Sequence, residues 1–80
     1  MNIAITGATG LVGAALSNFL SQENNVYVLI KDEHSKLKIN NSINKVYGNI
    51  NNKEDIDYFI QKSLPECFIH LAAQTQAYDS

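Results

Sequence analysis

Glycines at Gly7, Gly10 and Gly13 separate a β-prone run, Asn2–Thr6, from apolar residues that recur at helical spacing. A glycine-spaced turn from a strand straight into a helix constrains how the first two elements of a chain can meet. Gly7 lets the chain turn out of the strand, Gly10 lets backbone approach a bound pyrophosphate, and Gly13 lets the helix pack tightly on the sheet. The helix that starts directly after the loop turns free N–H groups and a positive dipole end toward such a ligand.

The rest of the chain continues the alternation. Leu11, Val12, Ala15, Leu16, Phe19 and Leu20 form the apolar stripe of the first helix, which stops at the polar Ser21–Asn25. Val26–Ile30 is a solid aliphatic and β-branched run, as expected of a strand covered on both faces. Asp32–Asn44 is polar, with one short helical turn expected near His34–Ile39, and Ile43–Tyr47 reads as a third strand closed by Gly48. Asn51 or Asn52 caps a second helix whose first turn carries Glu54 and Asp55. Its buried stripe is expected to be Ile56, Phe59, Ile60 and Leu64, and Pro65 marks the stop. Cys67–Leu71 is the fourth strand, running into the small residues Ala72 and Ala73.

Strands alternating with helices imply parallel pairing through right-handed crossovers. The expected fold is therefore α/β, a partial Rossmann doubly wound parallel sheet of four strands ordered 3-2-1-4, spanning residues 1–80 without a second domain. The chain stops soon after the fourth strand, so the sheet reads as unfinished. Its open flank, beside Phe68 and Ile69, is expected to promote self-association.

Composition removes several functional classes. Hydrophobic residues at 45% and charged residues at 18% give a globular balance. The net charge is −2, with six Lys and no Arg, so no basic stripe argues for nucleic acid. No apolar run approaches the ~20 residues of a membrane span. Met1 leads into a short apolar run without the basic segment of a secretory signal. The single cysteine, Cys67, forbids an internal disulfide and fits a reducing, cytoplasmic setting, where it reads as a small buried hydrophobe. One Cys and two His without ligand spacing leave no basis for zinc.

Thr6-Gly7-x-x-Gly10-x-x-Gly13 resembles the fingerprint of the extended short-chain dehydrogenase/reductase family, the NAD-dependent epimerases and dehydratases. Three further features agree in order. Gly48-Asn49-Ile50 stands where that family has a Gly-Asp-aliphatic motif beside the adenine, with Asn49 replacing the acid. Phe68-Ile69-His70-Leu71-Ala72-Ala73-Gln74-Thr75 resembles the family's fourth-strand motif, in a form similar to nucleotide-diphosphate-sugar 4,6-dehydratases. Lys31-Asp32 is similar to a basic-acidic pair of some dehydratase-like members. The resemblance covers essentially the whole chain, but only about a quarter of a family enzyme. It implies NAD or NADP held by Gly7, Thr9, Gly10, Leu11, Val12 and Gly13 at the loop. Lys31 and Asp32 then lie at the ribose, Asn49 and Ile50 at the base, and Leu71, Ala72, Ala73 and Gln74 along the end of the fourth strand.

The residues at the ribose leave the cofactor open. Lys31 would pair with a 2′-phosphate and favour NADP, whereas Asp32 would bond ribose hydroxyls and favour NAD. The Asn49 amide oxygen can accept from the adenine amino group, as the family's acid does. His70 reads as a hydrogen-bonded core histidine, and His34 as an exposed one. Two Tyr-x-x-x-Lys spacings mimic the family's catalytic pair, and neither suits that role. Tyr27 and Lys31 lie on a strand, where four residues span about 13 Å. Tyr58 and Lys62 share a helix face, but that helix precedes the fourth strand and runs away from the ligand edge. The expected function is the NAD(P)-binding portion of a nucleotide-sugar epimerase or 4,6-dehydratase, inactive without the catalytic region and meeting a nucleotide-sugar substrate only in a full-length form. A non-catalytic dinucleotide sensor and a truncated fragment without independent function are the alternatives.

Overall fold

In the computed structural model, the residues described are 1–7, 11–31 and 39–71, with Leu11 and Val12 described by their backbone alone. The elements run β1 (Asn2–Thr6), α1 (Leu11–Leu20), β2 (Asn25–Ile30), β3 (Asn44–Tyr47), α2 (Lys53–Ser63) and β4 (Cys67–His70). All strand pairs are parallel and the sheet order is β3-β2-β1-β4, as the alternation of elements predicts. In register, Ile3 faces Val26 on one side and Cys67 on the other, and Val28 faces Lys45.

Side chains alternate across this sheet and build two cores. Ile3, Ile5, Val26, Val28 and Ile30 gather with Ala14 of α1 and with Ile39 and Ile43 on one face. Ala4, Leu29 and Val46 pack with Phe59 of α2 on the other. The central strands are thus covered on both sides, and β2 holds Val26, Val28, Leu29 and Ile30 buried as its unbroken apolar run predicts.

Both helices turn a different face inward from the one their largest apolar residues suggest. Helix α1 buries Gly13, Ala14 and Ser17, whereas Ala15 is exposed, Leu16 and Leu20 are half-buried, and Phe19 is 68% exposed. The helix is apolar almost all round, so periodicity alone does not choose the face. Small residues bring the backbone close to the sheet, and the buried Ser17 hydroxyl is satisfied by donating to the Gly13 carbonyl at 2.7 Å. Helix α2 buries Phe59 and Ser63, with Ile56 half-buried, while Ile60 and Leu64 are exposed. Ile60 lies about 100° round the helix from Phe59. Leu64 is the C-cap in a left-handed conformation (φ 44°, ψ 58°), so it leaves the helical face altogether.

The ends of α2 are closed by side chains. Asn52, not Asn51, is the N-cap, accepting from the N–H groups of Glu54 (2.9 Å) and Asp55 (3.2 Å). At the other end Asn2 Nδ2 donates to the Ser63 carbonyl at 3.2 Å, satisfying an end group that the helix cannot.

Strand β4 ends at His70, one residue short of the predicted end, and pairs with β1 alone among the described strands. Its edge position explains two departures from expectation. Cys67 is exposed rather than buried. His70 is also exposed rather than a core residue, although it is hydrogen-bonded as expected. The helical turn expected near His34–Ile39 lies outside the described residues except for Ile39, which is buried. His34 lies outside them too. Among the described residues no helix is long and apolar enough to cross a membrane.

Candidate functional site

The carboxyl ends of β1, β2 and β3 open onto one cleft of about 240 Å³, lined by Gly7, Leu29, Lys31 and the segment Gly48 to Asn51. In an open parallel sheet this edge is where ligands bind, beside the point at which the strand order reverses. Here the reversal falls at β1, whose two neighbours are β2 and β4.

Each wall of the cleft follows from local chemistry. Gly7 leaves β1 with φ 78°, a left-handed conformation that a side chain would strain, which explains the glycine that closes the strand. Lys31 follows directly on β2 and is exposed, the one charged residue among the described residues lining the cleft. The third wall is the turn between β3 and α2. Gly48 donates its N–H to the Ile30 carbonyl at 2.8 Å, extending the β2–β3 pairing by one bond. Asn49 donates its N–H to Asp55 Oδ2 at 2.7 Å, and its own Oδ1 accepts from the Asn51 N–H at 2.8 Å. The Asn49 carbonyl accepts from the Asn52 N–H at 2.9 Å. Asp55 sits so close beneath this turn that a Cβ on Gly48 would lie 3.0 Å from Asp55 Cβ.

A second cleft, about 350 Å³, adjoins the first through Ile50 and Asn51 and is completed by Ile56, Phe68 and His70. Phe68 meets Phe59 edge to face at 6.1 Å, tying the floor of this cleft to the core beneath α2. The His70 Nδ1 atom lies 2.5 Å from Oγ1 of Thr6, a fully buried residue at the end of β1. The hydrogen bond joins the strand before the glycine loop to the edge strand.

Of the residues that the sequence assigns to a ligand, the structure brings Gly7, Lys31, Asn49 and Ile50 together in one cleft. Gly13 is buried within α1, and Leu11 and Val12 open that helix. Leu71 packs against the core on the α1 side of the sheet. Thr9, Gly10, Asp32, Ala72, Ala73 and Gln74 lie outside the described residues. Sequence reasoning missed Asp55 as a support of the cleft wall, because an acid in the first turn of a helix is explained by the dipole alone. It also missed the Thr6 partner of His70, which becomes visible only once β1 and β4 are known to be neighbours. Among the described residues no group of three or more His, Cys, Asp or Glu side chains is placed to hold a metal ion.

No curated protein gives a significant match to the chain. The model of the NAD dependent epimerase/dehydratase family matches residues 3–80.

Proposed function

Because the chain belongs to the NAD dependent epimerase/dehydratase family, which implies NAD(P) as its cofactor, we propose that the cleft at the ends of β1, β2 and β3 is the dinucleotide site. It would serve as the NAD(P)-binding portion of an epimerase or 4,6-dehydratase acting on nucleotide sugars. The observation that carries this reading is Gly7 at φ 78°, which turns the chain out of β1 at a cleft whose one charged lining residue, among the described residues, is a cation.

The residues present fit an extended anionic ligand of this kind. Gly7 and the start of α1 would hold the pyrophosphate through backbone N–H groups. Lys31 would meet the ribose end and pair with a 2′-phosphate. Ile50 supplies apolar contact and Asn49 a polar one for the base. The bound nicotinamide supplies hydride chemistry, while the protein holds and orients it. The family's tyrosine and lysine have no counterpart in the two matching spacings here. Tyr27 is half-buried in the middle of β2, and Tyr58 is an exposed residue of α2, whose sequence runs from the ligand edge at Asn52 toward the opposite edge. Turnover of a nucleotide sugar is therefore not expected of these residues alone.

Calorimetric titration with NAD and NADP tests the assignment. The chain should bind a dinucleotide, and Gly10→Val, a change in the loop of the fingerprint, should weaken it sharply. Lys31→Asp should shift preference from NADP toward NAD, and the NADP contact of the unaltered chain should weaken as salt rises. Equal binding by Gly10→Val would remove the loop from the phosphate site, and an unchanged NAD/NADP ratio would remove Lys31.

A further inference from the structure

We propose that Thr6 is a positioning residue of the dinucleotide site: its hydrogen bond to His70 holds the end of β4 in place for the nicotinamide nucleoside. The inference rests on the dinucleotide reading and gives a role to two residues which that reading leaves unused. Placement follows from the topology. A dinucleotide lies across the point where the strand order reverses, which here is β1. The pyrophosphate belongs at the turn after β1. The adenosine half then lies along the ends of β2 and β3, where Lys31, Asn49 and Ile50 line the cleft. The nicotinamide nucleoside falls on the other side of β1, at the end of β4.

The ends of β1 and β4 are held very differently. Thr6, the last residue of β1, is fully buried and stands in register between Leu29 of β2 and His70 of β4. Strand β4 pairs with β1 alone among the described strands, and Thr6 with His70 is the final pair of their ladder. A terminal pair on an edge strand is where pairing opens first. Past it, Leu71 packs against the core on the α1 side of the sheet. On the α2 side the His70 ring lies tilted against Phe68, with centroids 6.3 Å apart. A ring contact of that kind lets the imidazole slide, whereas the 2.5 Å bond between Nδ1 and Thr6 Oγ1 fixes it. The demand for this bond comes from Thr6. Its hydroxyl is buried with no other hydrogen bond to a described residue, so opening the pair leaves it unsatisfied, while the exposed His70 can turn to water. A buried hydroxyl on the central strand thereby holds an exposed residue on the edge strand. Loss of the hydroxyl frees the end of β4 and leaves the end of β1 in place, because β1 keeps its backbone pairing with β2.

The test is calorimetric titration of the unaltered chain, Thr6→Val and Thr6→Ser. The ligands are NAD or NADP, whichever the unaltered chain binds more tightly, and ADP or its 2′-phosphate, the matching fragment without the nicotinamide nucleoside. Valine keeps the branched shape and loses the hydroxyl, and serine keeps the hydroxyl. Titrations are run at a temperature at which thermal melts show each variant folded. The unaltered chain should bind the dinucleotide more tightly than the fragment. Thr6→Val should weaken the dinucleotide about fivefold, the effect of removing one net hydrogen bond from the binding-competent arrangement, and the fragment by less than about twofold. Thr6→Ser should restore the ratio of the unaltered chain. Equal losses for dinucleotide and fragment, no loss for either, or a Thr6→Ser protein that behaves like Thr6→Val would overturn the positioning role while leaving dinucleotide binding intact. A dinucleotide bound no more tightly than its fragment by the unaltered chain would overturn it as well. Failure of the unaltered chain to bind any of these ligands would overturn the site assignment itself, and the positioning role with it.

Discussion

Replacing Gly48 by alanine should destabilise the protein, even though glycine-to-alanine changes at compatible positions usually stabilise. The added Cβ would lie 3.0 Å from Asp55 Cβ, 3.2 Å from Asp55 Cγ and 3.2 Å from Leu29 Cδ1. Neither neighbour yields easily. Leu29 is a buried residue of β2, and Asp55 stands in the first turn of a helix whose start is fixed by the Asn52 cap. Crowding of this kind costs about 1–3 kcal/mol. Moving Asp55 aside would also stretch its 2.7 Å bond to the Asn49 N–H, which costs up to about 1 kcal/mol at an exposed site. Against this, the smaller conformational freedom of alanine in the unfolded chain contributes about 0.4–1 kcal/mol. The balance is a loss of roughly 1–3 kcal/mol, and each kcal/mol lowers Tm by about 4–8 °C in a domain of this size.

Circular-dichroism melts of the unaltered chain, Gly48→Ala, Asp55→Ala and the double variant would separate the clash from the lost bond. Asp55→Ala removes the carboxylate but keeps a Cβ, so it should cost less than Gly48→Ala. In the double variant the bond is already gone, and the combined loss should fall short of the sum of the single losses. A Gly48→Ala protein melting at or above the unaltered one would refute the crowding argument, and strict additivity would refute the coupling.

Two further changes probe the core beneath the site. His70→Ala leaves the buried Thr6 hydroxyl without the partner it has at 2.5 Å and should cost about 1–3 kcal/mol in urea unfolding; adding Thr6→Val should recover at least half of that loss, and no recovery would show that the pair is not the cause. Phe59→Ala removes the largest fully buried side chain among the described residues, at about 3–5 kcal/mol, against a total stability of about 4–12 kcal/mol for 80 residues. The free energy of urea unfolding should fall by that amount, and a loss below about 1 kcal/mol would contradict the central role given to Phe59.

The order of the elements was legible because each carries its own local signal. Asn2–Thr6 ends at a glycine, and the structure shows why, since the chain leaves β1 in a left-handed conformation at Gly7. Val26–Ile30 has no polar residue, as a strand with neighbours on both edges and helices on both faces requires. Helix faces were less legible, because burial is decided by what fits against the sheet rather than by which residue is most apolar. Ser17 and Ser63 are fully buried while Phe19, Ile60 and Leu64 are not. Each serine returns its hydroxyl to the carbonyl four residues earlier, Gly13 for Ser17 and Phe59 for Ser63. Neither then carries an unsatisfied group into the interior, and each is small enough for the helix backbone to lie close.

At the site the same distinction separates position from polarity. The spacing of Gly7, Lys31 and Asn49 relative to the strand ends was sufficient to place them at one edge, because parallel strands joined through helices all finish on the same side. The orientation of the Asn49 amide was not legible, because an asparagine side chain carries both donors and an acceptor. Only the turn fixes its orientation, with Oδ1 accepting from the Asn51 N–H. That turn depends on Asp55, six residues further on, and on a glycine at position 48 that lets the carboxylate approach. Substitutions at Gly48 and Asp55 should therefore displace this wall of the cleft and weaken dinucleotide binding as well as stability.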